Sequence, residues 1–345
     1  MSKRLEWIVL WLAAVTAYAE IAPAHAGSVA DFYQGNTVRI VVGFGAGGGY
    51  DLYARLVAEH LGQDIPGHPA VIVENMPGAG SLKAANYVYN AAARDGTVIG
   101  LFLNNFVLAK LLEPGAMYEP QKFTWLGRVD GAALYGVASK KSGVRSVEDA
   151  MKRNVALAST GASAMDAMVP WALDHLVGTR FKVIAGYKSN GEEAFALERG
   201  ECDGMGAVSL QFLAVRKPEW LKEGTVRLIY LDDLKRDPAY PDVPTIAEFA
   251  KNEQDRKVLE LIASSSAIGR SFVAPPGIPA DRAAALRAAF ETMLKDPAFL
   301  EDAQKRKLDV HPISVAALEK IAEAVSATPP AIIEQTKLVT AGPPK

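Results

Sequence analysis

VRIVVGFGAGGGYDLYARL, residues Val38–Leu56, decides how this chain is read. A run rich in β-branched residues ends in a glycine-rich turn. Helical spacing starts directly after it, with Leu52, Leu56, Val57 and Leu61 on one face. Val71–Asn86, VIVENMPGAGSLKAAN, repeats that grammar. In each unit the chain leaves a strand, turns through glycine and opens a helix. Unpaired backbone N–H groups and the positive end of the helix dipole then point at one place. Such a place is a generic anion site. Ser159–Ala164, STGASA, forms a third small-residue loop ahead of an amphipathic helix at Met165–Val177, and Tyr187–Gly191, YKSNG, follows the next strand. Their hydroxyl and N–H groups can donate to a carboxylate without burying a cation.

Outward from these loops, strands are read at Val38–Phe44, Val71–Glu74, Val98–Leu103, Leu134–Ala138, Val155–Ala158, Lys182–Ile184, Met205–Val208 and Val226–Leu231. Helical patterns separate them, and this rhythm predicts parallel sheets with helices on both faces. The last part is helical. Asp281–Lys295 places Leu286, Phe290, Met293 and Leu294 in register, Asp296-Pro297 stops it, and Leu318–Val325 follows.

The first loop also spells G-x-G-x-x-G through Gly43, Gly45 and Gly48, with Glu74 ending the next strand. A dinucleotide fold spaces its acid about 20 residues from the glycines, closer than here, and export argues against that ligand. Glycines serving only a tight turn are the plainer alternative. Their surplus over what one turn requires favours close backbone approach by a guest. Asp51 either caps the following helix or merely complements its dipole, and a structural role is favoured. Lys188 is open between ligand contact and solvent-exposed loop lysine, and Lys83, a conceivable counter-ion, reads more readily as an exposed helix lysine.

Lys3 and Arg4, the apolar stretch Trp7–Ala19 and the small residues Ala24 and Ala26 read as a secretory leader over residues 1–26. The apolar stretch is shorter than the roughly 20 residues of a bilayer span. A periplasmic product is expected. The remaining length suits two domains. A formal net charge of −2 without a basic cluster argues against nucleic acid or a membrane surface as partner. Cys202, the single cysteine, can form no internal disulfide and reads as a buried small residue. There is no G-x-S-x-G, H-E-x-x-H or Walker loop, and His60, His68, His175 and His311 lack ligand spacing. No catalytic residue, metal or cofactor is expected, and binding is the simpler reading. The acids read as solvated helix surface.

Several motifs resemble one group jointly. FGAGGGYD at Phe44–Asp51, VENMPGAG at Val73–Gly80, RDGTVIG at Arg94–Gly100, YPDVPTIAEF at Tyr240–Phe249 and VAPPGIPADRAAALRAAF at Val273–Phe290 are similar to the periplasmic solute-binding receptors of tripartite tricarboxylate transporters, the Bug-type receptors. The resemblance implies an α/β, two-lobed, type II-like periplasmic-binding-protein architecture, each lobe a mostly parallel sheet flanked by helices. Residues 27–127 with 232–345 would form one domain and 128–231 the other. It implies that backbone groups, partly through waters, grip a small organic carboxylate between the lobes. By position, Phe44, Gly45, Ala46, Gly47, Gly48 and Gly49 would supply the first loop, flanked by Gly78, Ala79, Gly80 and Ser81. Thr160, Gly161, Ala162 and Ser163 would supply the second, with Tyr187 behind the next strand. A monomer delivering its ligand to a membrane permease is expected, and the lack of a cation cluster points to a compact mono- or dicarboxylate as that ligand. An exported enzyme acting on an organic acid and a ligand sensor for a membrane signalling protein are the other readings. The chain departs from the pattern at three places. Gly43 stands for a proline, Ser81-Leu82-Lys83-Ala84 for G-N-I-G, and Met165-Asp166 for Pro-His.

Overall fold

Two five-stranded sheets, one per lobe, organise the protein. The computed structural model describes residues 28–131 and 133–342, so the leader read at 1–26 lies outside the described residues. In chain order the strands are β1 (Thr37–Val42), β2 (Ala70–Asn75), β3 (Val98–Leu101), β4 (Thr124–Arg128), β5 (Leu134–Ser139), β6 (Val155–Ser159), β7 (Phe181–Ala185), β8 (Gly204–Val208), β9 (Val226–Asp232) and β10 (Ser271–Ala274). They are ordered β2-β1-β3-β10-β4 in the first lobe and β7-β6-β8-β5-β9 in the second, a type II-like pair.

Alternation of strands and helices predicts parallel sheets, and each sheet departs from this by one strand. β1 pairs in parallel with β2 and β3, and β6 with β7 and β8. β10 is antiparallel to β3 and β4, and β5 to β8 and β9. The reason is topological. The parallel strands of both lobes run toward the gap between them. A chain that crosses the gap after β4 or β9 enters the other lobe running away from it. β4 and β10 also carry weak sequence signals. TWLGR holds one β-branched residue, and SFVA is four residues ahead of Pro275.

The strongest strand signal has a plain cause. Val38, Ile40, Val41 and Val42 of β1 are wholly buried, as in a central strand covered on both faces. The helix Gly49–Asp64 lays Tyr53, Leu56, Val57 and Leu61 into that core. Each fully buried side chain of this kind contributes about 1.5–3 kcal/mol. The helix Ala280–Met293 packs on Gly49–Asp64 and β4. The helix Pro330–Thr340 reaches across the molecule, touching Met165–Leu176 in the second lobe and Phe106–Leu112 in the first. Cys202 is buried, and burial pushes its thiol up to about 11, which keeps it inert.

The crossing after β4 is pinned by a buried ion pair. Arg270 donates to Asp130 at 3.1 Å and to the Gly131 carbonyl, and both charged side chains are almost fully enclosed. The guanidinium lies 4.4 Å from the centre of the Tyr53 ring, and the Tyr53 hydroxyl donates to Asp130 at 3.2 Å. His311 adds a 2.9 Å contact to the other Asp130 oxygen. Removing one partner strands the other charge. Asp130→Ala is expected to lower unfolding stability in urea by about 3–5 kcal/mol. A change near zero would show that the pair does not hold the crossing.

Candidate functional site

The loops that follow β1, β2, β6 and β7 open into one gap between the lobes. Gly43, Phe44, Pro77, Gly78, Gly80 and Ser81 line it from the first lobe, and Thr160, Gly186, Tyr187 and Lys188 from the second. The cavity measures about 260 Å³, room for a compact solute. An inner recess of about 30 Å³ continues past Phe44 and Thr160 to Tyr50, Asp166 and Asn190. That is enough for a bridging water. Phe44 stacks on Tyr50 with ring centres 4.9 Å apart, which fixes the mouth of the recess.

Three helices begin at this gap without a side-chain cap. Gly48, Ser81 and Ala164 hold the N-cap positions of Gly49–Asp64, Leu82–Asn90 and Met165–Leu176, and none accepts from its helix. The first backbone N–H groups of Gly49–Asp64 and Met165–Leu176 are therefore available to an outside acceptor, whereas Leu82 donates its N–H to the Ala79 carbonyl. The fourth, Asn190–Arg199, is closed by the Ser189 hydroxyl.

Two acids are internal supports, and the structural role favoured for Asp51 is what the contacts give it. Asp51 is buried and accepts from the Gly47 N–H at 2.8 Å, from Asn75 at 2.8 Å and from Arg55 at 2.8 and 3.1 Å. It thus neither caps its own helix nor simply complements the dipole; it fastens the glycine loop. Burial opposes its ionisation, but the bonds from Arg55, Gly47 and Asn75 prevail and hold its carboxyl below the usual range. In the second lobe Asp166 is also buried and accepts from the Thr160 N–H at 3.0 Å and the Thr160 hydroxyl at 2.8 Å. Here burial prevails and raises the carboxyl.

Gly43 and Ser81 form a matched pair. A β-carbon at 43 would lie 1.8 Å from the Ser81 hydroxyl, which itself accepts from the Leu103 N–H at 3.1 Å. The resembled pattern has proline and glycine at these two positions, so the side chain has moved from one strand end to the facing loop. Ser81 adopts φ 77° and Ala79 φ 48°, left-handed values that non-glycine residues rarely take.

Of the residues singled out from sequence, Phe44, Gly78, Gly80, Ser81, Thr160 and Tyr187 line the cavity. The others stand around it, several against the opposite lobe. A β-carbon on Gly45 would meet the Lys188 carbonyl at 3.3 Å, and one on Gly47 the Arg216 guanidinium at 3.1 Å. Gly48 faces Ser189, and Gly49 faces Ser209 and Phe212. Gly161 approaches the Gly80 nitrogen, while the Ser163 carbonyl accepts from Asn105 across the gap at 2.9 Å. Ala46, Ala79 and Ala162 are exposed. Gly43, Pro77 and Gly186 join the lining, as does Lys188, the lysine that sequence left open. The G-x-G-x-x-G reading marks Gly43 for a different reason than its contact with Ser81. Gly186 carries no local signal beyond following a strand.

Residues 53–338 match the profile of the tripartite tricarboxylate transporter family receptor. The chain belongs to this receptor family. A UPF0065 protein encoded in the gbd 5′ region of Cupriavidus necator is 25% identical to the receptor over 340 residues, covering 96% of each chain. The structure of the periplasmic binding protein BugD superposes with a TM-score of 0.68 at 23% identity, covering 90% of the receptor and 99% of BugD. MatC from Rhodopseudomonas palustris, solved with bound malate, gives a TM-score of 0.65 at 24% identity over 88% of the receptor and 99% of MatC. These structures share the receptor's two-lobed fold. Among the described residues no helix is long and apolar enough to cross a membrane.

The matched pair in the receptor yields a direct test. Gly43→Ala forces its methyl onto the Ser81 hydroxyl and is expected to cost about 1–3 kcal/mol, as overpacking does. Adding Ser81→Gly removes the obstruction and the left-handed strain together, and restores most of the loss. Equal melting temperatures for the single and double variants would refute the coupling.

Proposed function

We propose that the receptor is exported to the periplasm, captures a compact organic carboxylate between its lobes and hands it to a membrane permease. One observation carries this reading: the outer cavity is walled by backbone and neutral side chains, and among the described residues Lys188 is the one charged residue lining it. A wall of donors with a single cation suits an anion. Phe44, Gly80, Ser81, Thr160 and Tyr187 are assigned ligand contact. Gly45, Ala46, Gly47, Gly48, Gly49, Gly78, Ala79, Gly161, Ala162 and Ser163 shape the loops that close over it.

The magnitudes are adequate. A hydrogen bond to a charged group contributes about 1.5–3 kcal/mol, and a helix start adds about 0.3–1 kcal/mol. About four such bonds reach the roughly −8 kcal/mol of micromolar binding after ordering costs. The chemistry favours capture over turnover. Asp166, the carboxylate at the inner recess, is occupied by its own loop and is not free to act as a base on a guest. Closure of the lobes would then signal occupancy to the permease.

Native mass spectrometry of freshly purified protein, followed by calorimetry and product analysis with malate and adipate, tests the proposal. A bound acid recovered unchanged, with affinity near micromolar, is expected. Tyr187→Ala should weaken that affinity by about 1 kcal/mol or more. Chemical conversion of the acid would replace the receptor reading with an enzyme. Failure of every acid to bind would remove the carboxylate assignment.

A further inference from the structure

One buried side chain bonds directly from lobe to lobe. Asn105 follows β3 in the first lobe and is almost fully enclosed. Its amide nitrogen donates to the Ser163 carbonyl at 2.9 Å and approaches the Met168 sulfur at 3.5 Å, both in the second lobe. A carbonyl can only accept, so the amide must present its nitrogen on that side. The Asn105 oxygen is shut away from solvent with no partner. The Ser163 carbonyl is equally dependent on this bond. The helix Met165–Leu176 takes Ala164 as its N-cap, and among the described residues no other donor reaches Ser163.

The residue type at 105 invites a different bond. Asn105 is the N-cap of Phe106–Leu112, where an asparagine oxygen ordinarily accepts from its own helix. No such bond forms. The amide is turned outward to the second lobe instead, and its oxygen is left unpaired. When the lobes part, the Ser163 carbonyl and the Asn105 amide both return to water, and the oxygen is free to accept again. Closing thus gains one hydrogen bond and strands one acceptor, two effects of similar size and opposite sign.

We propose that Asn105 is a positioning residue whose bond to Ser163 registers the second-lobe loop against the first lobe and keeps closure near balance, so that the ligand decides it. The inference rests on the lobes closing over a guest, as the proposed function has it. Ser163 shares its loop with Thr160, which lines the cavity, so a shift of this carbonyl moves the cavity wall. The first lobe meets the Ser163 carbonyl at two points, with Gly80 limiting its approach and Asn105 holding it. Asn105 itself touches no ligand. It sets how often the two half-sites come together, and its loss divides the affinity of every acid by one common factor.

Asn105→Ala and Asn105→Asp separate this role from a service within the first lobe. Aspartate is a strong N-cap, so Asn105→Asp should leave urea unfolding unchanged or slightly more stable. The same change sets a carboxylate against the Ser163 carbonyl and should oppose closure. In calorimetry with malate and adipate, Asn105→Ala should bind about two- to tenfold more weakly than the parent protein. Asn105→Asp should be weaker still, and each variant should lose the same factor for both acids. A second measurement needs no ligand. A β-carbon on Gly45 would lie 3.9 Å from that of Lys188 across the gap, a separation suited to a disulfide. Gly45→Cys with Lys188→Cys should cross-link under oxidised glutathione as the lobes close, and adding Asn105→Asp should slow that reaction. The native Cys202 is buried and stays out of it. An unchanged cross-linking rate overturns the proposal whatever the affinities do, and so does a cysteine pair that never cross-links. A loss confined to one acid makes Asn105 a ligand contact and overturns it as well. If the parent protein binds neither acid, the fault lies with the ligand assignment, and the cross-linking rate alone decides the role of Asn105.

Discussion

Backbone N–H groups at the start of a helix need an acceptor, and at this gap the protein itself provides few. Gly48, Ser81 and Ala164 begin three helices there without offering a side chain to them. The demand for small residues in the loops, the neutral walls and the inner recess all stem from that one omission. A bulky or charged lining would either cover the donors or compete for them. The sheets supply the geometry by ending their parallel strands on the same gap.

Each lobe steadies its loop with a carboxylate from the first turn of the helix that follows. Asp51 holds the Gly47 N–H, and Asp166 holds the N–H and hydroxyl of Thr160. An anion beside the proposed anion site is a liability, and the lobes answer it differently. Arg55 and Asn75 balance Asp51 at the first loop. At the second, Asp166 has only hydroxyls and an amide N–H. The same structural device thus has cationic support on one side and neutral donors on the other.

Much of this was legible in the sequence because its causes are local. Val38–Val42 reads as a strand since burial on both faces demands apolar residues throughout, and Gly49–Asp64 reads as a helix since one face meets the core. Phe44, Gly80, Ser81 and Thr160 could be placed at a common gap because a strand, a small-residue loop and a helix follow one another. Long-range effects were not legible. Gly45, Gly47 and Gly161 look like Gly80, yet what each faces depends on the other lobe, more than a hundred residues away in several cases. Glu193 has the local pattern of a solvated helix acid and is instead wholly enclosed. β10 escapes notice because its neighbours, and not its four residues, make it a strand.

Gly80 sits where the lobes touch, and a methyl group there would come within 2.9 Å of the Ser163 carbonyl carbon. Its missing side chain therefore acts as a gauge that sets how near the two halves can come. Any substituent at that point behaves as a wedge, shifting the population toward splayed conformers. Apparent affinity would fall in proportion to the fraction of molecules still able to shut. On the proposed reading, binding strength is accordingly tunable from a residue that has no side chain.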